Sequence, residues 1–177
     1  MNINLVSTRF NNETWRENMD NRLKRNIVCF YASPREMTAK IMVDSIVFVV
    51  EMNNSINQIE GIGLIHNKPV YDKYYKMYSE ENYNRYFYFG KYYINRLQLI
   101  EYDNSLVDIF DFILFKGKTH LKRGAGFTQI PEKILLHEIC RNRNVKKEIS
   151  NAFIYFNKNK IRNESNLNEN INEKKLL

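Results

Sequence analysis

The chain has 177 residues and a formal net charge of +7, from 27 Lys and Arg against 20 Asp and Glu. That length suits one globular domain with a real core, and the positive balance makes nucleic acid, an anionic membrane or an acidic protein the natural partner classes. No apolar run approaches the roughly 18 residues of a membrane helix, and the start MNINLVSTRFNNETW lacks the basic-then-apolar layout of a secretory leader, so a soluble, cytoplasmic protein with no membrane partner is expected.

In chain order, Ile3 to Ser7 reads as a first strand. The polar stretch NNETWRENMDNRLKRN then sets Trp15, Met19 and Leu23 at helical spacing, one amphipathic helix laid on the body of the fold. Ile27 to Ser33, IVCFYAS, is a second strand, and Pro34 opens a short helix over PREMTAKI. DSIVFVVEM is a continuous apolar run of strand length, rich in β-branched residues, which predicts a central strand buried on both faces. The turn NNSINQ leads to its hairpin partner, Ile59 to Ile65, where Gly61 and Gly63 mark a bulge or a close backbone approach. YNRYFYFGKYYI is a strand pair or one long strand bent at Gly90.

NRLQLIEY and NSLVDIFDFILF have helical period and Asn caps. KGKTHLKRGAGFTQIP is a basic, glycine-containing loop, and EKILLHEICRNRN and VKKEISNAFIYF are further helices. The rest is too polar to fold alone. The expected class is α+β: a small β-barrel or curved mixed sheet with helices packed outside, in a domain over 1–130. A helical extension over 131–156 and a polar tail over 157–177 follow.

Familiar catalytic patterns fail on inspection. Gly117-Lys118-Thr119 lacks the glycine that a phosphate loop needs where Phe112 stands, and the segment ahead is helical rather than a strand. GIGLIH ends in His66 where a dinucleotide fingerprint needs glycine. His66, His120 and His137 are scattered, with no second ligand at metal spacing, which predicts surface or capping roles. Cys29 and Cys140 are too few and too far apart for a disulfide framework or zinc site, so both are expected as reduced thiols. No Ser, Cys or Lys comes with a base and an orienting group, so neither enzyme chemistry nor a cofactor or metal is expected. Glu80 and Glu81 read as a polar loop, and Asp108 and Asp111 as the solvent side of a helix. Heavy use of Asn, Lys, Ile and Tyr is the usage of an AT-rich genome, such as that of a large DNA virus or an AT-rich microbe.

The aromatic residues are more informative. Successive strand side chains point to opposite faces, and both sets in YNRYFYFGKYY contain rings, so a single core cannot absorb them all. One arrangement puts Tyr86, Tyr88 and Tyr92 on one face and Phe87, Phe89 and Tyr93 in the core. Tyr71, Tyr74, Tyr75, Tyr78 and Tyr83 instead fall in the charged loop ahead, beside Lys73, Lys76 and Arg85. Rings and cations together are the ingredients for stacking an unpaired base while holding its phosphates. Lys116, Lys118, His120, Lys122 and Arg123 form a second phosphate candidate, in a loop whose glycine amides can approach an anion.

NINLVST, a helix with a tryptophan, IVCFYASP and then IMVDSIVFVVEMNNSINQIEGIGLI together resemble the PUA-like superfamily, in its YTH and EVE branches, over about residues 2 to 100. The matching stretches are Leu5 to Thr8, Tyr31-Ala32-Ser33, Ile46 to Val50 and Gly61 to Ile65, and GKYYINRLQL resembles the strand and turn after the second cage aromatic of a YTH domain. The resemblance implies a reader of single-stranded RNA that encloses a modified base, N6-methyladenosine above all, in an aromatic cage. Tyr31 is then the first wall, with Ala32 beside it and Ser33, Ser7 or Thr8 near the base edge. The second wall comes from Tyr71, Tyr74, Tyr75 or Tyr83. YTH domains carry tryptophan at the first wall, whereas this chain has tyrosine there and its one tryptophan, Trp15, in the helix. Phosphate contacts fall to Arg85 and the basic loop, and a protein partner to the C-terminal helices. The rival expectations are an assembly protein, using the aromatic loop and C-terminal helices as interfaces, and an enzyme acting on nucleotides.

Overall fold

The computed structural model describes residues 3–72 and 74–158; Lys73 and nearly all of the polar tail lie outside the described residues. Six strands form one mixed sheet: β1 (Asn4–Phe10), β2 (Cys29–Ser33), β3 (Ile46–Asn53), β4 (Gln58–His66), β5 (Tyr86–Asn95) and β6 (Thr128–Gln129). Their spatial order is β2-β5-β4-β3-β1-β6, with β1 and β3 parallel and every other pair antiparallel. The sheet curls into a half-barrel with helices against it, an α+β architecture with a curved mixed sheet.

β3 is central and Val47 to Asn53 are all buried, because each face of the sheet carries its own core. On one face Leu5, Phe48, Val50, Ile62 and Ile94 pack against α2 (Arg96–Phe115). On the other Val6, Phe10, Val47, Val49 and Tyr31 pack beneath α1 (Asn12–Arg25) and the connecting loops. The helical segment after residue 130 joins the first core: Ile134 of α3 (Glu132–Leu135) and Val145, Ile149, Ala152 and Phe153 of α4, residues 145–158, share it with α2. EKILLHEICRNRN is helical only over α3 and a short 3-10 turn at Glu138–Cys140, where the His137 ring accepts the Ile139 amide at 3.2 Å. Among the described residues no helix is long and apolar enough to cross a membrane.

A reciprocal capping box starts α1: Asn11 Oδ1 accepts the Thr14 amide at 2.8 Å, and Thr14 Oγ1 accepts the Asn11 amide at 3.0 Å. The face that α1 buries differs from the apolar one expected. Leu23 is 76% exposed, Trp15 and Met19 are half-buried, and the buried residues are Asn18 and Arg22. Their interior partners account for this. Asn18 Nδ2 donates to the Tyr78 hydroxyl at 2.5 Å and to the Phe30 carbonyl at 3.3 Å.

Arg22 reaches Glu51 of β3 at 2.5 Å, and both side chains are almost fully buried. The Tyr31 hydroxyl donates to Glu51 Oε1 at 2.6 Å and the Tyr93 hydroxyl to Oε2 at 2.8 Å. The guanidinium also lies 4.7 Å from the Tyr93 ring centre, a cation over an aromatic face. Burial opposes the Arg22 charge, but Glu51, Tyr31 and Tyr93 more than offset it and hold the pKa above its ordinary value. Burial first, then the neighbouring Glu51, pushes both tyrosine hydroxyls well above the usual phenol range.

Gly61 and Gly63 make room for this cluster. A Cβ on Gly63 would overlap the Tyr31 hydroxyl and one on Gly61 the Tyr93 hydroxyl, so the close approach expected at this pair is made by two tyrosine rings. β5 is one strand, and its register with β4 shifts beside Gly90, where a Cβ would meet the Leu64 carbonyl.

Three local expectations are corrected. Residues 34–45 contain no helix, since Ser33 Oγ donates to the Arg35 carbonyl at 2.6 Å and the Met37 amide donates to the Tyr88 hydroxyl at 3.0 Å, bonds that replace a helical ladder. The two helices read over residues 95–115 meet at a kink at Asp103, and Asp103 rather than Asn104 caps the second by accepting the Ser105 amide at 3.0 Å. Asp111 is not a solvated carboxylate: it is paired with Arg96 at 2.7 Å and accepts the Ile59 amide at 2.8 Å.

Removing one member of the buried pair, as in Arg22→Met, leaves an uncompensated carboxylate and is expected to cost about 3–5 kcal/mol in urea unfolding. The double variant Arg22→Met with Glu51→Gln should recover much of that loss. Because the folded tyrosine pKa values are raised, their contribution is intact below the unfolded phenol pKa of about 10 and is lost as pH rises beyond it. In an alkaline titration followed by phenolate absorbance, Tyr31 and Tyr93 should therefore ionise only together with loss of the folded circular dichroism signal.

Candidate ligand cavity

A cavity of about 280 Å³ lies where the end of β1, the start of α1 and the loop before β5 converge. Thr8, Arg9 and Phe10 of β1 form one side, because β1 runs straight into the helix cap at Asn11. Thr14 and Glu17, on the first turns of α1, form the next. Tyr31 and Ala32 of β2 lie at the base, and Tyr78, Glu80 and Tyr83 close the wall from the loop. The volume lies just below the range usual for ligand pockets, about 300–1,000 Å³, and suits a single heterocycle.

Thr8, Tyr31, Ala32 and Tyr83, four of the residues expected at a base site, are brought together here. The others are not. Ser7 points to the opposite face of β1, where its hydroxyl donates to the Thr128 carbonyl at 3.5 Å. Ser33 is buried, bonded to Arg35 and covered by Gly126. Tyr71 is exposed with its hydroxyl on Glu36 at 2.5 Å, Tyr74 is exposed, and Tyr75 packs on Phe87 and Phe89 with ring centres 5.1 and 5.3 Å away.

Tyr31 itself is corrected from an open cage wall to a floor. It is 1% exposed, its ring meets Phe127 edge-on at 6.2 Å, and its hydroxyl is committed to Glu51. Every residue of β2 is buried, so Tyr31 and Ala32 meet the cavity only as its floor. Phe10, Tyr78 and the half-buried Tyr83 supply the other rings. Burial raises the Tyr78 hydroxyl pKa above its ordinary value, the Asn18 hydrogen bond opposing.

The polar groups were less legible beforehand. Glu17 Oε1 accepts the Ser79 amide at 2.6 Å, and Glu80 Oε1 accepts the Asn82 amide at 3.4 Å and its side-chain Nδ2 at 3.1 Å. Among the described residues neither carboxylate has a cation within ion-pairing distance, and neither does Arg9 have a carboxylate. Arg9 instead donates to the carbonyls of Leu121, Gly124 and Gly126 at 3.2, 3.1 and 2.7 Å, which ties the basic loop to the cavity wall. Burial lowers its pKa, with Tyr83 acting the other way.

Within that loop Lys122 Nζ donates to Asn57 at 2.6 Å and His120 accepts the Lys122 amide at 3.3 Å, while Lys116, Lys118 and Arg123 are exposed, as is Arg85. Burial pushes the Cys29 thiol up to about 12, so it is unreactive at neutral pH. Among the described residues no group of three or more His, Cys, Asp or Glu could hold a metal ion.

Comparison of the chain with protein-family models, with curated proteins and with solved structures gives no match.

Arg9→Ala removes all three side-chain bonds to the loop. Hydrogen–deuterium exchange should then show residues 121–126 losing protection by about 1.5–3 kcal/mol, the scale of a hydrogen bond to a charged group, while β3 is unchanged.

Proposed function

We propose that the protein is a nucleic-acid-binding module of PUA-like fold, cytoplasmic and of viral origin, that accepts one unpaired base of single-stranded RNA in the cavity and catalyses no reaction on it. One observation carries this: Thr8, Tyr31, Ala32 and Tyr83, marked by the resemblance and far apart in sequence, line a single cavity together with the rings of Phe10 and Tyr78. Flat apolar walls with polar groups at the edge are what a heterocycle needs, since stacking contributes roughly 1–3 kcal/mol per base whatever its identity. Arg9 and the loop it clasps provide positive charge beside that opening, where the phosphates of a bound strand would pass. By resemblance the modified base is N6-methyladenosine. A buried methyl group adds on the order of 0.8 kcal/mol when ring faces remove it from water.

Fluorescence anisotropy with short labelled RNAs, each made with and without one N6-methyladenosine, tests this. Binding should weaken steeply with added salt, and Tyr83→Ala should reduce affinity by about 1–3 kcal/mol. Absence of binding to any single-stranded RNA, or an affinity indifferent to Tyr83→Ala, would overturn it.

A further inference from the structure

The charge inside the cavity runs against that of the chain. The protein carries +7 overall, yet two carboxylates, Glu17 and Glu80, and one guanidinium, Arg9, face the same space. Each carboxylate uses only Oε1 in hydrogen bonds, so both Oε2 atoms keep their accepting capacity. The polar side of the cavity is therefore rich in acceptors, and it selects a ligand edge made of donors.

Only one of the four RNA bases offers two adjacent donor positions on its pairing edge. Guanine presents N1–H beside its N2 amino group, which a carboxylate can accept with both lone-pair directions engaged. Adenine sets its amino group beside an acceptor nitrogen, whose lone pair a carboxylate repels, and N6-methylation removes one of the two amino hydrogens. Methylation of guanine at N7 has the opposite effect. It places a positive charge on the ring, which both the carboxylates and the aromatic faces attract.

We propose that the base taken is guanine, and preferentially N7-methylguanine, with Glu17 accepting N1–H and N2–H and its phosphates lying on the Arg9 side. This rests on the base-binding function proposed above, and it replaces N6-methyladenosine, the base that the resemblance implies, with a guanine. Glu17 is assigned the edge because it is half-buried and fixed by the Ser79 amide, whereas Glu80 is exposed at the rim. Arg9 spends three of its N–H donors on loop carbonyls, and a guanidinium has five, so two remain for a phosphate.

Calorimetric titrations should compare 7-methylguanosine triphosphate, GTP, ATP and N6-methyl-ATP against the wild type and Glu17→Gln. Gln keeps an oxygen for the Ser79 amide, and the thermal midpoint of the variant checks that the fold is retained. The methylated guanine nucleotide is expected to bind at least about tenfold more tightly than either adenine nucleotide. Glu17→Gln should erase roughly tenfold of that preference while leaving weak stacking with ATP.

Equal or tighter binding of the adenine nucleotides, or a guanine preference unchanged in Glu17→Gln, would overturn the guanine assignment and leave base binding standing. If neither nucleotides nor single-stranded RNA bind, the base-binding function itself falls. Capture of a trimethyl-lysine peptide in place of every nucleotide would overturn both.

Discussion

A carboxylate in the middle of the central strand organises this molecule. Glu51 stands where the apolar run of β3 would admit any branched residue, and it is held there by one guanidinium and two phenols. Taking those groups out of water is costly, and mutual pairing offsets the cost only if all of them are in place. The cluster thus ties α1, β2, β3 and β5 to one geometry: slide α1 by a turn, or shift β2 by one residue, and a buried charge or hydroxyl is left alone.

The cavity inherits its rigidity from that cluster. Tyr31 is its floor because Glu51 holds the hydroxyl, and Glu17 sits on the same helix whose Arg22 makes the ion pair. Arg9 plays a comparable part on the outer side, where a strand residue gathers three carbonyls of a glycine-containing loop. Tyr83, Glu17 of α1 and Glu80 of the loop line the wall, while the Tyr31 and Tyr93 hydroxyls are consumed by the interior. A preformed pocket with a fixed floor and walls drawn from β1, α1 and one loop can accept a flat ligand with little loss of conformational entropy.

How far the fold could be read beforehand depended on whether local pattern and tertiary environment agreed. β3 was legible because burial on both faces writes itself as an uninterrupted apolar run, and the glycines of β4 were legible because a missing side chain signals a neighbour that comes close. α1 was located correctly but its inward face was not, since Asn18 and Arg22 look like solvent residues until their partners, distant in sequence, are known. Proline at the head of PREMTAKI marks a possible helix start, yet side-chain bonds from Ser33 and Tyr88 outcompeted the ladder. At the cavity Thr8, Tyr31, Ala32 and Tyr83 came from matched stretches and loop aromatics. Glu17, Glu80 and Arg9 carried no signal, because a charged residue on a helix or edge reads as an ordinary solvated one.

The glycines of β4 carry a consequence for how such a chain can diverge. Gly63 exists for the Tyr31 ring and Gly61 for the Tyr93 ring, so neither member of a pair can change freely while the other stays. Relatives that keep this architecture should show these positions drifting as couples, a smaller ring appearing wherever the facing glycine acquires a side chain, which gives a correlated signature by which distant kin could be recognised when overall similarity has faded.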